Sequence, residues 1–422
     1  MSGSSTTDSD RSTQMSLRIG GEEIQGIRTF SYVQDVMQLA NPFSAEIPDP
    51  DSKWSKVVTR GAKAEVYLSN PDVNNGRQNL KLTGRVREVE QGTRAGTGRV
   101  LRVTGADLGY HLTRDSGPLG FALSRTTYKK LLQALIDDSW GFRGVRFGDA
   151  NSLNRQILLG RKQKLLQYTA PNEVPLQYIG IEPGETASAI LTDVARFSAK
   201  LLTVSADGYL QAWNPDYNRT PAYEFEYHGI DEKDRSLNNI EEVSISSSAD
   251  TLATDITCVG EILLQLSLPH PDDPHPGRKI GSAHNPALLP YISRETYTDT
   301  EQFSAKYCQA NAEWKMKMNI FNSWAYKCSS PYHHQRGTWF AADMIVSLLD
   351  TVNHDDSSGV VRGISGRYWI PRVELHWDKD KGGGTSFIIR HKDLLSAPVV
   401  GKGGIDIKSA STLVIPEKAP QP

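Results

Sequence analysis

Hydrophobic and polar residues alternate through most of the first hundred positions. Leu17 and Ile19 flank Arg18, and Gly20-Gly21 separates them from residues 22–25, the pattern of a hairpin. Ala64, Val66 and Leu68 alternate with Glu65 and Tyr67; Leu80 and Leu82 alternate with Lys81 and Thr83; Leu101 and Val103 alternate with Arg102 and Thr104. A period of two places one side of each strand on a core and the other on solvent or a partner. Gly76, Gly84, Gly92, Gly96 and Gly98 punctuate these runs. Residues 15–115 therefore predict a small antiparallel barrel or sandwich, behind a polar, disordered tail at 1–14.

The period changes in residues 116–245. Thr126-Thr127 can cap a helix carrying Tyr128, Leu131, Leu132, Leu135 and Ile136 on one stripe, with Gly141 as its stop. A second helix starts at Glu185-Thr186 and aligns Ala187, Ile190, Leu191, Val194 and Phe197. It leads into two alternating runs, 201–205 and 209–213, turned by Asp207-Gly208. This segment reads as an α+β unit.

Strands return in residues 246–400. Residues 256–260 form one; residues 269–290, rich in Pro, His, Asp and Gly, predict a long loop. Residues 304–318 predict a helix, followed by a strand with Ile320, Asn322, Trp324, Tyr326 and Cys328 on one face. Further strands are read at 344–348, 362–365 and 385–390. Trp369, Val373, Leu375 and Trp377 share a face across Pro371, which predicts an edge or a bulge there. Residues 401–422 read as a flexible extension. The fold class is α+β, mainly β: two strand modules flank an unlike middle.

Composition narrows the function classes. The chain has 422 residues, with 38% hydrophobic and 23% charged. That excludes a wholly disordered or collagenous chain, and no apolar run reaches the ~18–20 residues of a membrane span. With 47 basic and 49 acidic residues, the charge does not favour tight non-specific duplex binding. The N-terminus carries no secretory pattern, and Cys258, Cys308 and Cys328 read as free, buried thiols of a protein folded in a cytoplasm.

Candidate chemistry is weak. The glycines of residues 92–98 precede a strand rather than a helix, so they read as a hairpin loop, not a phosphate cradle. His270, Asp272, Asp273, His275 and His284 could hold a cation, as could His333-His334 with Tyr332 and Gln335, but neither spacing is that of a ligand set. No Gly-x-Ser-x-Gly elbow is present. Glu224 with Glu226, or Glu241 with Glu242, could be drawn as a glycosidase pair, yet Glu224-Phe225-Glu226 reads as strand alternation. Asn218-Arg219-Thr220 fits a glycosylation acceptor, which means nothing without a secretory signal. Trp314, Trp324, Trp339, Trp369 and Trp377 lack the basic company of a stacking groove and read as core or interface. No catalytic, cofactor or metal residue is assigned.

The order strands, α+β insert, strands resembles the baseplate hub proteins of Mu-like contractile-tailed phages. The local likeness lies in residues 184–191 running into 201–210, and also in 34–46 (a loop ending in an aromatic-rich strand start), in 304–317 followed by 320–326 and 339–346, and in 255–260. The resemblance implies two tail-tube-like antiparallel β-barrels and a homotrimeric ring of six barrels. Such a ring adapts a six-fold tube or distal tail protein above to a three-fold spike below, with baseplate wedge proteins around it. DNA would pass only transiently through the lumen. It also implies a virion location after assembly in the host cytoplasm, with no enzymatic activity and no cofactor. The spike would be a separate polypeptide, because no β-prism follows residue 400. Residues 86–89 and 373–377 are expected to face the lumen or a neighbour, and proline at Leu375 is expected to block assembly while leaving the first barrel folded. The competing readings are a tail-associated peptidoglycan hydrolase, the hub half of a secretion-system spike, and a single-strand nucleic-acid binder.

Overall fold

The computed structural model describes residues 13–94, 98–115, 122–123, 128–136, 140–149, 179–180, 186–188, 191, 201–231, 237–260, 280–285, 293–299, 305–353, 363–380, 382–392, 394–395, 400–401 and 404–405. Strand β1 (Gln14–Ile19) turns into β2 (Glu22–Ile24), pairing Leu17 with Ile24. Gly20 and Gly21 have φ of +62° and +92°, which this two-residue turn needs. Strand β1 starts inside the stretch read as a tail, and the buried Thr13 accepts from Asn70 Nδ2 at 2.8 Å. Next come β3 (Thr29–Asp35), β4 (Pro42–Pro48), β5 (Lys63–Ser69) and the hairpin of β6 (Asn79–Arg94) and β7 (Gly98–Asp107). Residues 34–46, read as a loop, are the end of β3, a short turn and the start of β4. Gly92 still lies within β6, so the turn there is shorter than the glycines suggest.

Helix α1 (Gly109–Arg114) leads to the middle elements β8 (Ala122–Leu123), α2 (Tyr128–Leu135), β9 (Gly144–Asp149), β10 (Ile179–Gly180), β11 (Leu201–Val204) and β12 (Tyr209–Asn214). The predicted Asp207-Gly208 hairpin is present, with Leu201 opposite Trp213, and β9 adds to β12 in parallel. Leu131, Leu132 and Leu135 of α2 pack on Leu202, Leu210 and Ala212 in a core of their own, which Ala187 and Leu191 join. Most of the helix read from Glu185 lies outside the described residues.

Then follow β13 (Tyr223–Tyr227), β14 (Glu241–Ser247), β15 (Asp255–Gly260), β16 (Ile280–His284), β17 (Arg294–Asp299), α3 (Ala305–Ser323) and β18 (Trp324–Ser330). Strands β15, β16 and β17 form a small sheet against α3, closed over Ile256, Cys258, Cys308, Ala312 and Met316. Two expectations are corrected here. Ile280–His284 is a strand rather than loop, because its alternate small residues let it lie under α3. Ile320 and Asn322 are helical; the strand starts only at Trp324. The chain continues through β19 (His334–Gln335), β20 (Thr338–Trp339), β21 (Met344–Asp350), β22 (Ile364–Asp378), β23 (Gly382–His391), β24 (Val400–Gly401) and β25 (Gly404–Ile405).

Among the described residues thirteen strands form one sheet, with the main path β14-β18-β23-β22-β3-β4-β7-β6-β5-β1-β2; β21 pairs with β22, and β13 with β21. The two strand modules are thus hydrogen-bonded to each other, Arg372–Asp378 of β22 against Thr29–Asp35 of β3. Among the described residues the sheet is continuous and no closed barrel is found; the mainly-β class is as expected, and the count of two barrels is not established by the strand pairing. Strands β13 and β14, read as part of the insert, belong to this sheet.

The continuous sheet contains an internal repeat. In chain order, the strands β3, β4, β6 and β7 lie in the sheet as first, second, fourth, third; so do β14, β18, β22 and β23. Both runs point the same way, so the end of one unit meets the start of the other. In each unit the third strand is long, 16 residues in β6 and 15 in β22, and the fourth has 10. Each long strand is bulged, between Val86 and Glu88 and between Trp369 and Arg372. Before its bulge β6 pairs with β5, and β22 pairs with β21. Pro371 sits within the second irregularity. It marks the bulge of an internal strand rather than an edge, and its carbonyl accepts from Val36 N at 3.0 Å.

Candidate functional site: the polar face of the long sheet

Side chains directly opposite in an antiparallel pair share a face. One row runs Ser31, Ser44, Thr104, Glu88, and the next runs Thr29, Glu46, Arg102, Glu90. Across the joint the rows continue through His376 opposite Ser31 and Glu374 opposite Val33, then Ser386 and Ser329. Residues between these positions, Phe30, Tyr32, Phe43, Ala45, Val103, Val373, Leu375, Phe387 and Cys328, are buried in the main core. One face of both units is therefore apolar, and the other carries mainly hydroxyls and charges, interrupted by Val33 and Ile388.

The charges on that face answer one another. Glu46 lies between Arg28 and Arg102, at 3.9 and 3.7 Å, and Arg102 reaches Glu90 at 3.5 Å. Arg28 also meets Asp380 at 3.7 Å. On β22, Arg372 meets Glu374 at 3.4 Å and Asp35 at 3.9 Å. Half-exposed pairs like these add little stability. Their effect is electrostatic: Arg28, Arg102 and Arg372 are each offset and draw phosphate less strongly. Ser31 and Ser44 share a hydrogen bond of 2.8 Å, which satisfies two hydroxyls within the face.

The strand edges differ. Along β13, Gln335 Oε1 accepts from Glu224 N at 2.8 Å, Asn239 Oδ1 from Glu226 N at 2.9 Å and Asn238 Oδ1 from His228 N at 2.7 Å. Side-chain amides thus occupy the groups an incoming strand would need. No described strand covers the outer edge of β14, whose residues are almost all exposed, or β6 beyond its bulge. Uncovered edges invite pairing with another chain.

A cavity of about 160 Å³ lies where the two units meet the α+β middle, lined by Gln34, Asp35, Asn41, Ser205, Gln211 and Asp343 among others. Its acids are engaged. Asp343 accepts from Arg219 Nη2 at 2.7 Å and Trp369 Nε1 at 3.1 Å; burial nonetheless lifts its carboxyl to about 6. Asp35 is likewise raised by burial, against the pull of the Met37 amide and Arg372. Behind it Asp107 accepts from Asn41 Nδ2 and Gly109 N, both at 3.0 Å, and burial lifts it to about 7. These groups lock a seam between the units.

The residues weighed from sequence are scattered. Glu224 and Glu226 flank the buried Phe225 on β13; Glu224 pairs with Arg336 at 2.7 Å and Glu226 meets His228 at 3.8 Å. Glu241 and Glu242 lie exposed on β14, far along the sheet. His270, Asp272, Asp273 and His275 lie outside the described residues, and His284 pairs with Asp255 at 2.8 Å. His333 is buried, with Nδ1 3.2 Å from Thr385 Oγ1, and burial holds its imidazole down to about 3. Among the described residues no three metal-ligating side chains converge. The three cysteines are buried and in no disulfide; Trp324, Trp339 and Trp369 are buried, while Trp314 and Trp377 pack on the core from its margin. The sequence reading placed residues 86–89 and 373–377 together in role, and Glu88 and Glu374 do share the polar face. It missed the joint β22–β3, for which only the alternation of β3 gave a signal. Among the described residues no helix is long and apolar enough to cross a membrane.

No protein-family model matches the chain, and no curated protein matches it in sequence. Solved structures do match. The tail protein from Neisseria meningitidis MC58 is similar over 91% of this chain and 98% of its own, at 18% identity and a TM-score of 0.67. The 43 kDa tail protein of prophage MuSo2 from Shewanella oneidensis is similar over 91% and 99%, at 15% identity and a TM-score of 0.65. The E. coli c3393 protein is a component of the type VI secretion system with structural similarity to the T4 bacteriophage tail proteins gp27 and gp5. It is similar over 90% of this chain and 78% of its own, at 8% identity and a TM-score of 0.50. At these identities the likeness is one of fold: the chain has the fold of phage tail proteins.

Proposed function

We propose that the chain is a structural hub of a contractile-type tail baseplate. Three copies form a ring that joins a six-fold tube or distal tail protein to a three-fold spike, with wedge proteins around it and a lumen for DNA. The observation that carries this reading is the internal repeat. Two units with one strand order, joined head to tail in one sheet, let three chains present six similar segments. A ring of that kind needs heterologous contacts that close.

The polar face supports a channel wall. Its Arg28, Arg102 and Arg372 are answered by carboxylates, so contact with a passing duplex through them releases few counterions and DNA is not held there. The role is mechanical and not enzymatic, and its place is the virion, after assembly in the host cytoplasm. Sedimentation of the purified chain, alone and with its spike, tests it. A trimer is expected, with six-fold features in averaged images of the ring. A chain that stays monomeric in the presence of spike and tube overturns the proposal.

A further inference from the structure

We infer that residues 88–94 of β6 pair antiparallel with β14 of a second copy of this chain, in the register that β22 already makes with β3. The pairing presupposes the trimeric hub proposed for the chain and names its contact strands.

The repeat supplies the register. In the first unit a row of directly opposed residues runs Ser31, Ser44, Thr104, Glu88. In the second it runs Ser244, Lys327, Ile388, Arg372. Both rows end on the first paired residue after the bulge of the long strand. The hairpin pairs close alike, Arg94 opposite Gly98 and Asp378 opposite Gly382. Glu88 thus corresponds to Arg372, and Ser244 to Ser31.

Strand β22 uses its stretch beyond the bulge to hold the first strand of the next unit: Glu374 opposite Val33, Leu375 opposite Tyr32 and His376 opposite Ser31. On the side away from β7 the corresponding stretch of β6 has no described strand, and Glu88, Glu90, Gln91, Gly92 and Thr93 are exposed. The first strand of the second unit, β14, has no described strand on its outer side. Carrying the joint over places Glu90 opposite Ser246, Gln91 opposite Ile245 and Gly92 opposite Ser244 of the neighbour. Arg94 then falls at the register position of Glu241.

The chemistry agrees with the placement. Gly92, Ser244 and Ser246 are small, so the strands can approach without a clash on the polar face. Glu242, at a φ of +49°, takes up the bulge that offsets Glu241 from Ser244, and the ladder is regular from Ser244 to Ser247. The β13 edge, closed by Gln335, Asn238 and Asn239, is withheld from such pairing. Each copy offers one donor edge and one different acceptor edge, which is the condition for a closed heterologous ring.

The test is disulfide trapping in the full chain. Glu90→Cys with Ser246→Cys is expected to give covalent oligomers on oxidation, ending at the ring and reversed by reductant. Each single variant is expected to stay unlinked, as is the off-register pair Glu90→Cys with Ser247→Cys, whose side chains fall on opposite faces. The native cysteines are buried and do not interfere. An oligomer by sedimentation that forms no 90–246 link overturns the pairing and leaves the hub reading standing; an unlinked monomer overturns both. Amide exchange on the unsubstituted chain is an independent check. Protection of residues 88–93 and 243–247 should rise on the order of tenfold or more on assembly. An assembled chain that leaves them unprotected also overturns the pairing.

Discussion

The Tyr326 hydroxyl donates to the Asp350 carboxylate at 2.9 Å, at a place where both residues are fully buried. Asp350 also accepts from Val352 N and Asn353 N at 2.9 Å and from Asn353 Nδ2 at 2.8 Å. It therefore ties the end of β21 to β18 and to the turn that follows. Removing the hydroxyl leaves the carboxylate one donor short. Tyr326→Phe should cost about 1–3 kcal/mol of stability, and Asp350→Ala more, since it strands several donors. Urea denaturation followed by tryptophan fluorescence measures both.

Asp107 makes stability depend on pH. Burial lifts its carboxyl to about 7, from 3.8 in the open chain, so between those values the folded chain holds a proton that the unfolded chain has lost. Stability from this group is therefore fully present at the acid end and is lost as pH rises through about 7. Asp343, lifted to about 6, acts in the same direction over a narrower window. The slope from Asp107 alone is at most about 1.4 kcal/mol per pH unit. Asp107→Asn should flatten the fall in denaturation midpoint between pH 5 and pH 7.5; an unchanged slope would show that the carboxyl titrates elsewhere.

Gly281 lies on β16 opposite Cys258, beneath α3. A Cβ at that position would sit 1.9 Å from Gln309 N and 2.2 Å from the Cys308 carbonyl carbon. Both are helix backbone and cannot rotate away. Gly281→Ala should push α3 off its small sheet, with a loss of about 1–3 kcal/mol or more. Faster amide exchange confined to β15, β16 and α3 would be its mark, with β3, β4, β6 and β7 unchanged.

The strands with strict alternation were legible in the sequence. Leu17, Val66, Leu82, Val103 and Val373 all face the core as a period of two requires, and the Asp207-Gly208 turn sits where its φ preference puts it. Three features were hidden for physical reasons. Ile320 and Asn322 continue a helix because Ala312, Met316 and Ile320 recur at helical spacing, a signal that overlaps the strand alternation starting at Trp324. Strand β14, with Glu241, Ser244, Ser246 and Ser247, has little apolar content to reveal it. The joint β22–β3 pairs residues far apart in the chain, Arg372 with Asp35 and Asp378 with Thr29, and no local pattern encodes such a distance. The polar face follows from that joint. The same alternation was visible at Glu88 and at Glu374, but their shared surface was not.

Leu375 shows how the joint changes an expectation. It is buried and sits between Tyr32 of β3 and Thr385 of β23, so its strand is paired on both sides. A proline there removes a ladder donor and strains a central strand, at a cost of roughly 3 kcal/mol or more. Since β3 is one of the two partners, Leu375→Pro should loosen the first unit along with the second. Exchange protection should fall in β3 as well as in β22 and β23. Loss of assembly with β3 still fully protected would instead support independent modules.

The charge balance of the polar face gives the sharpest test of the channel reading. Glu88 is exposed and Glu374 is partly exposed, and both stand on the face that joins the two units. Glu374 offsets Arg372 at 3.4 Å, so reversing it removes one anion and leaves Arg372 only the more distant Asp35, at 3.9 Å. Glu88→Arg with Glu374→Arg turns a balanced surface into a basic one without touching the core. The unaltered chain should pass through a duplex DNA column at low salt. The double variant should be retained and should elute with a log–log salt dependence of a few ions, because each added cation displaces condensed counterions. Equal thermal midpoints would show that the fold is intact. Salt-sensitive retention of the unaltered chain would contradict a wall that lets DNA slide, and would favour a nucleic-acid-binding role for the same face.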